Sequence, residues 1–152
     1  MAVELHLRCI DKVHAAIVAM ALPSLPAGQV YQKKLPTAGD ITLPAIVVSY
    51  PPDEGERIEA GGVHNRTSIG WPVCVTFLAA DNQDMALGAD AEMLAEWRRR
   101  VLLHFHDQHL TGVTEVNFCR VEPRATIDME YFRGNLHAGA LVIVCWTRLS
   151  PV

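Results

Sequence analysis

No apolar run in the 152-residue chain approaches membrane-spanning length. The longest uncharged apolar runs, Ala138 to Thr147 and Gly70 to Ala80, fall well short of the roughly 20 residues a transmembrane helix needs. A surplus of positive charge is also missing: 13 basic against 17 acidic side chains give a net charge of −4, which excludes the overall basic field of a dedicated nucleic-acid binder. The four cysteines, Cys9, Cys74, Cys119 and Cys145, contain no C-x-x-C pair. Three of them lie in apolar strand-like runs, where a cysteine serves as a small hydrophobe, so reduced thiols in a cytoplasmic setting are expected. The first ten residues carry Glu4, His6 and Arg8 rather than a basic segment followed by an apolar one, which argues against a secretory leader. There is no G-x-G-x-x-G or P-loop sequence, no internal repeat and no low-complexity tract.

What is present is half apolar and one-fifth charged, the composition of a soluble globular chain with one core, read as a single domain over residues 1–152. Val3, Leu7, Ile10, Val13, Ile17 and Met20 recur at helical spacing, predicting an amphipathic helix over Ala2 to Leu22 that Pro23, Pro26 and Gly28 terminate. Gln29 to Lys33 is a candidate short strand, and Leu35 to Thr42 a loop. Ala45 to Tyr50 is β-branched, apolar and flanked by Pro44 and Pro51-Pro52, the pattern of a strand. Asp53 to Arg66 is polar and reads as a protruding loop or the arms of an exposed hairpin. Thr67 to Leu78 predicts a long strand, entered by a bend at Gly70-Trp71-Pro72. Met93, Leu94, Trp97, Val101 and Phe105 form one stripe of a second helix, with Asp84 or Asp90 as its cap. Val113 to Val121 and Gly139 to Leu149 are the closing strands. The latter is so continuously apolar that it belongs at the centre of its sheet or is buried on both faces. The order predicts an α+β fold: a mainly antiparallel β-sheet with two α-helices packed on one face.

Candidate chemistry is sparse. His104, His106, Asp107 and His109 resemble the histidine motif of metallo-β-lactamase-type dinuclear hydrolases, but Gln108 separates Asp107 from His109 and the cluster follows a helix. Histidines at a helix C-terminus are favoured there by the helix dipole alone, so solvated surface is the first reading and a metal-dependent hydrolase using His104, His106 and His109 a distant one. The strand cysteines are expected to be buried with raised thiol pKa values, unlike nucleophiles. The carboxylates Asp53, Glu54, Glu56 and Glu59 lack calcium-loop spacing; they read first as solvated surface and second as a channel or partner face. Arg98, Arg99 and Arg100 fan around a helical turn, suiting a solvated or subunit-contacting face better than a phosphate site. No catalytic residue, metal or cofactor is expected, and the chain reads as a non-enzyme built for association. Interfaces enrich aromatic residues and arginine, so Trp71, Trp97, Trp146, Tyr131 and Phe132 are candidate anchors, with Trp97 assigned to the core by its helical phase; Tyr131-Phe132-Arg133-Gly134 reads first as ordinary loop packing and second as an assembly contact.

The N-terminal helix, the proline-bounded strand, the strand Val73 to Leu78, the helix Ala91 to Phe105 and the closing strand pair together resemble the tail-terminator and tail-completion proteins of long-tailed bacteriophages and related gene-transfer particles. That resemblance spans nearly the whole chain in element order and rests on no catalytic motif. It implies a virion protein, assembled in the host cytoplasm, that forms a ring of copies of itself, commonly a homohexamer, at the head-proximal end of the tail tube. There it caps tube polymerisation and meets neck or connector proteins, touching passing DNA only transiently and contacting no membrane. Another neck component, such as a head-completion or stopper protein, is the alternative. A ring needs unlike patches that meet head to tail. The expected pair is the terminal strand with Trp146 and the basic face of Arg98 to Arg100 set against the acidic loop, part of which is expected to line the channel.

Overall fold

A computed structural model describes residues 2–35, 40–61, 66–80, 89–124 and 136–149. The chain runs through helix α1 (Ala2–Met20), a 3-10 turn (Ala27–Gln29), strands β1 (Val30–Gln32), β2 (Ala45–Ser49), β3 (Arg57–Gly61) and β4 (Arg66–Ala80), helix α2 (Ala89–Phe105), and strands β5 (Val116–Pro123) and β6 (Leu136–Leu149). The sheet order is β1-β2-β4-β6-β5, with β3 paired to β4 beyond the end of β2. Among the described residues only β1 and β2 are parallel, and every other pairing is antiparallel. This is the α+β architecture expected from the sequence.

The two helices share one face. Cys9, Ile10, Val13 and Ile17 of α1 and Trp97, Val101 and Phe105 of α2 form one core with Trp71, Val73, Val75 and Phe77 of β4 and Leu141, Ile143 and Cys145 of β6. The strand residues are odd-numbered because side chains alternate between the faces of a strand. The even positions Val142, Val144 and Trp146 form a second cluster with Phe118 on the other face. The continuous apolar run of β6 is thereby explained: the strand lies between β4 and β5 and is buried on both faces.

Several local expectations need correction. Leu7 is 43% exposed, and the buried stripe of α1 runs instead through His6, Cys9, Ile10, Val13 and Ile17. Asp90 does not cap α2, because the helix begins at Ala89 and Asp90 lies in its first turn; Asp84 lies outside the described residues. β5 begins at Val116 rather than Val113, since the preceding residues form turns in which Val113 N–H donates to Leu110 O and Val116 N–H to Val113 O.

Nor is β4 entered at Gly70-Trp71-Pro72; it is one continuous strand from Arg66 to Ala80 that contains all three residues. Along the edge of β4 away from β6, residues 66–70 pair with β3 and residues 74–78 with β2. Pro72 falls in the gap between those two partners, the one register where a missing N–H leaves no ladder bond unmade. Its carbonyl, equally without a strand partner, accepts a hydrogen bond of 2.7 Å from buried His6 Nε2.

The sheet is strongly coiled. β3 and β5 stand three strand spacings apart, about 14 Å measured along the sheet, yet Arg57 of β3 is ion-paired with Glu122 of β5. Curling of the sheet toward the helix-free side brings them together. Arg124 to Glu54, at 2.7 Å, makes a second bridge of the same kind.

Candidate functional site

Among the described residues, the face of the sheet turned away from α1 and α2 carries a chain of ion pairs and an open trough. At its inner end Glu54, Arg57, Glu122 and Arg124 form a chain of ion pairs, in which Arg57 binds both Glu54 and Glu122. The guanidinium of Arg57 holds the Glu122 carboxyl below its usual range. At its outer end the face opens into a trough of about 320 Å³, lined by Glu59, Ser68, Asn117, Phe118, Arg120, Trp146, Thr147 and Arg148. The Arg120 guanidinium lies 5.8 Å from the centre of the Phe118 ring, within cation–π range.

Trp146 is only 9% exposed because its ring lies over Gly70, its cross-strand partner. A Cβ at Gly70 would come within 2.7 Å of Val144 Cγ1 and 3.0 Å of Trp146 Cη2. Glycine here is therefore a seat for the indole.

The predicted interface residues fall into distinct environments. Arg99 and Arg100 lie on the outer face of α2, both bound to Glu96 at 2.8 and 2.7 Å, and hydrogen bonds from the two guanidinium groups hold the Glu96 carboxyl down to about 2. Leu103, on the same helix, is 60% exposed. Arg98 leaves this face: it turns to the sheet and donates to Ala140 O at 2.8 Å and Arg124 O at 2.9 Å, and burial lowers its pKa. The three arginines therefore make a patch of two, with the third serving as a bolt between α2 and the ends of β5 and β6.

The acidic group also divides. Asp53 and Glu56 are exposed, whereas the Glu54 carboxylate is matched by Arg57 and Arg124. Glu59 belongs to β3 and lines the trough. Trp71 is not an anchor, because it lies on the helix face, 4% exposed, with its indole N–H donating to Thr147 Oγ1. Trp97 is fully buried and donates to Pro23 O, in keeping with its helical phase. Tyr131, Phe132 and Arg133 lie outside the described residues.

The histidine cluster closes a strand edge. His106 Nδ1 accepts the N–H of Val121, Asp107 N–H donates to Cys119 O, and Cys119 N–H donates to Gln108 O. The turn after α2 thus covers the outer edge of β5, where open backbone groups would invite pairing with another chain. Among the described residues, no three His, Cys, Asp or Glu side chains form a group placed to hold a metal ion. All four cysteines are free and buried; burial pushes the Cys74 thiol up, whereas, against expectation, the hydrogen bond with Cys145 holds the Cys119 thiol down.

His6, Phe118, Arg120, Arg148 and the ion-pair chain escaped the sequence reading. Phe118, Arg120 and Glu122 do alternate along β5, which marks them as one face. What they face depends on the curl of the sheet, and no local pattern carries that. Among the described residues no helix is long and apolar enough to cross a membrane. No family model matches the chain, and no curated protein matches it significantly.

Proposed function

We propose that the protein is a ring-forming tail-terminator of a long-tailed bacteriophage or related gene-transfer particle, capping the tail tube and meeting the neck. The observation that carries this reading is the placement of two chemically unlike surfaces on opposite sides of one sheet. On the helix side α2 offers Arg99, Arg100 and exposed Leu103; on the other side lies the trough of Trp146 and Phe118 rimmed by Arg120, Arg148 and Glu59. Closed rings are built from such head-to-tail contacts, in which one patch meets a different patch on the next copy. The element order on which the resemblance rests supports the same reading. Asp53 and Glu56 are the exposed carboxylates suited to a channel wall, where negative charge repels DNA.

The test is light scattering at two salt concentrations, with and without tail-tube protein, on the wild type and on Arg99→Glu. A wild-type ring, alone or on adding tube protein, that Arg99→Glu fails to form while keeping its circular dichroism supports the reading. A wild type that stays monomeric under every condition overturns it. Binding to a portal-side protein instead of the tube moves the assignment to another neck component.

A further inference from the structure

Cys119 and Cys145 face each other directly in the antiparallel β5–β6 register. Such pairs alternate between hydrogen-bonded and non-hydrogen-bonded, and the latter bring the Cα atoms to about 4.5 Å. Cys119 is of the second kind. Its N–H and C=O both point outward, to Gln108 O and Asp107 N, while Arg124 N–H donates to Ala140 O across the ladder, placing the even-numbered positions of β5 in hydrogen-bonded pairs. The Cα spacing of a non-hydrogen-bonded pair lies within the range that disulfides span. The two sulfurs stand 3.8 Å apart, within the buried core that α1 covers.

We infer that Cys119 and Cys145 are a thiol-oxidation site, a dithiol ready to close into a cross-strand disulfide. A small disulfide supplies the oxidising equivalents. The thiolate of Cys119 attacks one of its sulfurs and expels one thiol, forming a mixed disulfide. The Cys145 sulfur then attacks Cys119, releases the second thiol and gives up its proton to solvent. Two protein thiols lose two electrons and two protons, and one disulfide becomes two thiols. Because both sulfurs are fully buried, reaction requires β5 to lift from the turn that covers its edge, and the His106 bond to Val121 is a latch on that motion.

The experiment is to treat the folded protein with oxidised glutathione or diamide, alkylate the remaining thiols in denaturant, and map cross-linked peptides by mass spectrometry. The expected result is loss of two of the four thiols with a Cys119–Cys145 cross-link, unchanged in Cys74→Ser. Cys119→Ser and Cys145→Ser are each expected to abolish the cross-link. His106→Ala is expected to speed the wild-type reaction several-fold without changing its product. Four free thiols after prolonged oxidation, or a cross-link through Cys74, overturns the inference. Wild-type mapping decides it even if a variant misfolds.

Discussion

Replacing Gly70 with alanine tests the seat of Trp146. The new methyl would lie 2.7 Å from Val144 Cγ1 and 3.0 Å from Trp146 Cη2. Both neighbours belong to the tightly packed concave cluster, so neither withdraws freely. Overpacking of this kind costs about 1–3 kcal/mol, against about 0.5–1 kcal/mol gained by removing a glycine from a strand. The net expectation is a loss of about 1–2 kcal/mol. Val144→Ala alone leaves a small cavity and costs on the order of 1–3 kcal/mol. Combined, the alanine at 70 fills space that Val144 vacates, and the double mutant is expected to be more stable than the sum of the singles by at least about 1 kcal/mol. Urea unfolding followed by far-ultraviolet circular dichroism measures all four proteins. A stabilising Gly70→Ala, or single-mutant effects that add to within about 0.5 kcal/mol, refutes the reasoning.

Burial lowers the pKa of His6 from its usual 6.5. As pH falls below that value the unfolded chain takes the proton first, so stability drops by up to about 1.4 kcal/mol per pH unit until the lowered folded pKa is passed. His6→Asn is expected to flatten that part of the profile between about pH 7 and 5, read from urea midpoints; an unchanged slope excludes His6 as its source. Gly112 has φ +89° and a Cβ there would meet Lys12 Cε at 2.8 Å, so Gly112→Ala is expected to cost about 1–2 kcal/mol in thermal unfolding. A neutral result means the turn relaxes. Arg57→Ala removes the ion pairs with Glu54 and Glu122, and because these groups are partly exposed the loss is expected to be only about 1 kcal/mol, with faster amide exchange in β3; a β3 as protected as in wild type counts against a role for these pairs in holding it.

Punctuation made much of the fold legible. Prolines bracket β2, and the apolar stripe through Trp97, Val101 and Phe105 defines α2. The central position of β6 follows from having no polar residue between Ala138 and Cys145. The failures share a physical origin: each depends on a partner distant in sequence. Pro72 reads as part of a bend until the gap between β2 and β3 is known, and no local pattern assigns His6 to the carbonyl in that gap. Arg98 reads as one of three outward charges, yet the carbonyls of Ala140 in β6 and of Arg124 just past β5 draw it inward. For the site, Trp146 and Glu59 were legible as an aromatic anchor and an acidic residue. That they line one trough with Phe118, Arg120 and Arg148 follows from sheet curvature, which residue spacing does not encode.

The long β4–β6 ladder has a mechanical side. Its register is unbroken through fourteen consecutive pairs, from Thr67 opposite Leu149 to Ala80 opposite Leu136, a length of about 45 Å. Antiparallel strands pulled from opposite ends of such a ladder load all of its hydrogen bonds together in shear, whereas β1, held by three pairs, and β3, held by five, offer far shorter ladders. Tension applied along the strand axis therefore meets the stiffest part of the molecule, while tension across it reaches the short edges first. A copy anchored through the two ends of β4 and β6 transmits force as a rod.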